Sequence, residues 1–65
     1  MSKELIKVLE LIQSDLEAAR DDCQSEEAAL RYGEEIDAGM IDGAIFHAES
    51  AVGRLQQLRE TLTKS

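Results

Sequence analysis

The chain has no proline and no tryptophan, and only one each of phenylalanine, tyrosine, histidine and cysteine. Each scarcity excludes something. Without proline, nothing in the 65 residues removes a helical hydrogen bond or forces a kink. With Cys23 alone, no internal disulfide can form, and a lone thiol fits a reducing compartment. Cys23 reads as a small buried apolar residue. Asp21 and Asp22 beside it disfavour a reactive thiolate.

Long apolar runs are also missing, and none approaches the ~18 residues of a membrane span. The amino-terminal stretch carries Lys3, Glu4, Lys7 and Glu10 among its apolar residues, unlike the uncharged core of a signal peptide. The expected location is the cytoplasm.

Catalytic and metal-binding signals are absent too. His47 has no cysteine, His-x-x-x-His or Glu-x-x-His companion. A carboxylate-bridged di-iron bundle would want glutamate three residues before it, where Ala44 stands. No catalytic, cofactor-binding or metal-ligating residue is assigned, and no cofactor is expected; the expectation is a protein that is not an enzyme.

What remains is helix-forming composition, rich in Ala, Leu, Glu, Gln and Arg, with a strong spacing pattern. Leu5, Leu9, Ile12, Leu16, Ala19 and Cys23 follow one another at alternating steps of four and three. This is a heptad stripe, not the alternation of a strand. It predicts one helix over about 3–31, with Ser2 as its cap. Ile41, Ala44, Ala48, Ala51, Leu55, Leu58 and Leu62 repeat the spacing and predict a second helix over about 34–63.

Between them, Gly33 suits the left-handed residue that ends a helix, and Arg31 suits the first helix's negative pole. The expected fold is all-α: an antiparallel two-helix hairpin spanning 1–65 as one domain, with its turn at about 32–34. Folding about Gly33 would set Leu5 opposite Leu62, Leu9 opposite Leu58, Ile12 opposite Leu55, Leu16 opposite Ala51, Ala19 opposite Ala48 and Cys23 opposite Ala44. A three-helix alternative breaks the first helix near Gln24-Ser25, with Ser25 capping a short helix from Glu26 to Tyr32, and Gly39 and Gly43 could delay the second helix until about Met40.

One seam leaves Ile6, Val8, Leu11, Met40, Ile45, Phe46 and Val52 uncovered. A chain this short buries only about 60% of its unfolded surface, so a second copy completing a four-helix bundle is the expected remedy. The heptad residues are the expected self-association core.

Charge is distributed unevenly. Residues 15–49 hold eleven acids and two bases, a net of −9, whereas the remainder holds three acids and five bases, a net of +2. The turn end of a hairpin would therefore be anionic and the open end mildly cationic. The missing basic stripe argues against direct nucleic-acid binding.

Three functional expectations follow. The first is a homodimer that binds and inhibits or sequesters another protein, a plan suited to phage or mobile-element regulators. Phe46 and Ile45 beside the Gly39–Gly43 spacing are candidate docking residues for it. The second is an acidic mimic occupying a nucleic-acid-binding protein through Asp21, Asp22, Glu26 and Glu27. The third is a small-ligand sponge in the small-residue zone around Ala19, Cys23, Ala44 and Ala48. No membrane partner is expected.

Overall fold

The computed structural model describes residues 3–64. It contains two helices, α1 (Lys3–Arg31) and α2 (Ala38–Lys64), packed against each other as an antiparallel hairpin. The molecule is a rod with principal-axis extents of 52 × 17 × 13 Å. α1 runs unbroken through Gln24 and Ser25, which removes the three-helix alternative. Ser2, the expected cap, lies outside the described residues.

α1 ends through its backbone. Gly33 takes a φ of 80°, a left-handed conformation open to glycine without a Cβ penalty. The N–H of Glu34 donates to the carbonyl of Ala29 at 2.8 Å, and the N–H of Gly33 donates to that of Leu30 at 3.1 Å. This paired closure satisfies two carbonyls that the helix end would otherwise strand.

The second helix starts four residues later than the spacing predicts. Asp37 supplies the reason: its Oδ1 accepts from the N–H of Gly39 at 2.9 Å, and its carbonyl accepts from Ile41 at 3.3 Å. Aspartate is among the best helix-capping residues, and Glu34 has no such role. The backbone N–H of Asp37 is itself held by Glu26 Oε2 of α1 at 3.0 Å. Residues 32–37 thus form a tied bridge, longer than the expected turn.

The helices meet on two rows each. On α1 these are Leu5, Ile12, Ala19 and Glu26, and Val8, Asp15, Asp22 and Ala29, all buried or half-buried. On α2 they are Ala44, Ala51 and Leu58, and Met40, His47 and Arg54. Cross-helix partners such as Asp15 with Arg54 and Glu26 with Asp37 fall within about one helical turn of the expected register. The rotation about each helix axis differs, however.

Leu9, Leu16 and Cys23, expected opposite Leu58, Ala51 and Ala44, lie outside the seam and are exposed, as are Ile41, Leu55 and Leu62. Cys23 is therefore not the buried residue its type suggests. The hairpin itself encloses little. Among the described residues Ile12 and Ala51 are the only fully buried apolar side chains, joined by Glu26 at 7% exposure.

Candidate functional site: the outer face of the hairpin

The rotation creates the largest surface feature. In each helix the expected stripe splits into two rows about 40° apart, since four residues of helix overshoot a full turn by that much. The inner row, Leu5, Ile12 and Ala19 with Ala44, Ala51 and Leu58, faces the seam. The outer row comprises Leu9, Leu16, Cys23 and Leu30 on α1, and Ile41, Ala48, Leu55 and Leu62 on α2.

Two antiparallel helices are related by a local two-fold axis normal to the hairpin plane. That axis places both outer rows on the same side of the rod. Leu9, Leu16, Leu30, Ile41 and Leu55 are all between 37% and 54% exposed there. Ile6, Ile45 and Val52 flank them, and they too are exposed. Eight residues of apolar type in two aligned rows form a band, and such a band is wider than the scattered apolar exposure normal for a monomer.

The opposite flank of the seam is polar. There Asp15 and Arg54 form an ion pair linking the two helices. Gly43 lets α2 approach Asp22: a Cβ at that position would stand 3.2 Å from Asp22 Oδ2. Glu4, Ala18, Ser25, Ser50, Gln57 and Lys64 continue this flank, with Leu11 as its one large apolar residue.

The candidate docking residues are not brought together. Gly39 sits in the first turn of α2 beneath the Asp37 cap, and Gly43 faces Asp22. Their spacing therefore serves the hairpin itself and leaves no groove. Phe46 projects outward at 65% exposure and meets the His47 ring edge-on, with centroids 5.6 Å apart. Ile45 lies at the margin of the apolar face.

The four tip acids also divide. Asp21 is exposed, Asp22 is half-buried, Glu26 is buried and holds Asp37, and Glu27 pairs with Arg31 at 2.9 Å. Of the small-residue zone, Ala19, Ala44 and Ala48 are half-buried and Cys23 is exposed. A cleft of about 720 Å³ opens at the other end of the rod, lined by residues that include Leu5, Val8, Arg54, Leu58 and Leu62.

Among the described residues no group of three or more histidine, cysteine or carboxylate side chains is placed to hold a metal ion. No described helix is long and apolar enough to cross a membrane. Sequence reasoning missed the roles of Asp37 and Glu26. The Asp-x-Gly run at 37–39 was the available signal for the first; nothing local marks the second.

These features define a class by architecture: an all-α helical hairpin with one apolar and one polar face. Comparison with protein-family models, with curated proteins and with solved structures finds no match to this chain.

Proposed function

We propose that this chain is a non-enzymatic interaction protein that works as a homodimer, two hairpins joined as a four-helix bundle, and that the bundle binds and sequesters a partner protein. The apolar outer face carries the reading. The chain exposes 5272 Å², whereas a compact monomer of 7.2 kDa exposes roughly 4,100 Å². That excess, roughly 1,200 Å², goes with the rod shape and exceeds the ~800 Å² each partner contributes to a standard interface. Covering the apolar face would bury the leucines that the hairpin leaves exposed.

The partner protein would meet what the bundle leaves outside, namely the acidic turn end and the outward Phe46. An aromatic anchor on a charged rim is the usual composition of an energetic contact. The division of the tip acids gives the nucleic-acid mimic less support, because Glu26 and Glu27 already have intramolecular partners.

Sedimentation equilibrium at micromolar concentration tests the reading. A dimer mass is expected, with a melting temperature that rises as protein concentration rises, because association stabilises the folded form by mass action. A compact monomer whose melting temperature ignores concentration would refute it.

A further inference from the structure

We infer that the second copy packs face to face on the outer rows in an antiparallel sense, each turn end beside the other's open end; this rests on the self-association proposed above. Two symmetric arrangements can close the face, and charge distinguishes them.

If the two-fold axis crosses the rod, α1 lies along α1 of the second copy and α2 along its α2. With the axis level with the middle of the α1 outer row, between Leu16 and Cys23, Leu16 meets Cys23 of the second copy and Leu9 meets its Leu30.

If the axis instead runs along the rod, with turn ends together, α1 lies along α2 of the second copy.

Residues 15–49 carry −9 and the remainder +2, so the antiparallel arrangement sets opposite signs side by side. The alternative stacks two −9 ends within the ~8–10 Å over which salt leaves charges in contact. The face is also long enough: its rows span 21 residues from Leu9 to Leu30, about 32 Å of helix.

Site-directed crosslinking of the full chain tests the arrangement. Under mild oxidation Leu16→Cys is expected to bond to native Cys23 of the second copy, shifting the chain to a band of doubled mass that disappears when Cys23→Ser is added. A second pair guards against loss of packing at Leu16: Leu9→Cys with Leu30→Cys in a Cys23→Ser background should also crosslink between chains.

A dimer by sedimentation that crosslinks through neither design overturns the antiparallel arrangement and leaves self-association standing. A monomer by sedimentation overturns both. The readouts are therefore separable.

Discussion

The two broad faces of the hairpin use the same heptad grammar and reach opposite results. One carries an exposed leucine four residues after each of Leu5, Ile12, Glu26, Ala51 and Leu58. The other carries Glu4, Ser25, Ser50, Gln57 and the Asp15–Arg54 pair. A polar flank can remain wet at no cost, whereas each exposed leucine forgoes about 1.5–3 kcal/mol of burial. The apolar side is the surface that the proposed second copy would cover.

The sharpest way to break that comparison is to truncate one leucine on each face. Leu16→Ala should weaken dimerisation by about 2 kcal/mol per copy or more, and since the two-fold counts each change twice, roughly a thousandfold in Kd is expected. Leu11→Ala, on the polar flank at nearly equal exposure (49% against 50%), should leave the constant unchanged within about 0.5 kcal/mol per copy. Sedimentation of both variants measures this. Equal effects would erase the distinction between the faces.

Glu26→Ala probes the tie between seam and turn. It strands the Asp37 N–H in a half-buried place, so a loss of about 1–3 kcal/mol is expected in denaturant unfolding. Amide exchange at Asp37 should quicken with it. Unchanged stability would mean that the bridge holds without this carboxylate.

Gly33→Ala places a Cβ on a residue with φ of 80°, although nothing lies within 4 Å of that atom. The cost is therefore conformational alone, about 1 kcal/mol. It should appear as a lowered unfolding midpoint with dimer affinity retained.

The smallest effect has the opposite sign. Gly53 sits in the interior of α2, and a Cβ there also meets nothing within 4 Å. Gly53→Ala should stabilise the chain by up to about 1 kcal/mol through helix propensity. Gly43→Ala should gain less, because its new methyl group crowds Asp22. A thermal melt of the two variants at one concentration ranks them.

Much of the fold was legible in the sequence. The heptad steps from Leu5 to Cys23 and from Ile41 to Leu62 mark helices, and Gly33 marks where the first one stops. Both signals are local, because spacing and backbone freedom act over one or two turns. A late start of α2 was open in the sequence through Gly39 and Gly43, but its cause and position were not legible. Glu34 and Glu35 are chemically suited to a helix start, and only the capping geometry of Asp37, anchored by Glu26 from the other helix, decides against them. The candidate site was legible in part. Its residues were named, but they were assigned to a single seam, and the candidate docking pair Gly39 and Gly43 proved to serve the cap and the helix contact.

By itself the sequence determined two amphipathic helices, a glycine-ended reversal, and a dipolar rod with acid at the turn. It could not determine which edge of each stripe turns inward, because rows about 40° apart look identical to a pattern read along one strand of letters. Tertiary contact decided that. Gly43 admits Asp22 and Arg54 reaches Asp15, and these fits rotate both helices so that the inner rows meet and the outer leucines face away together.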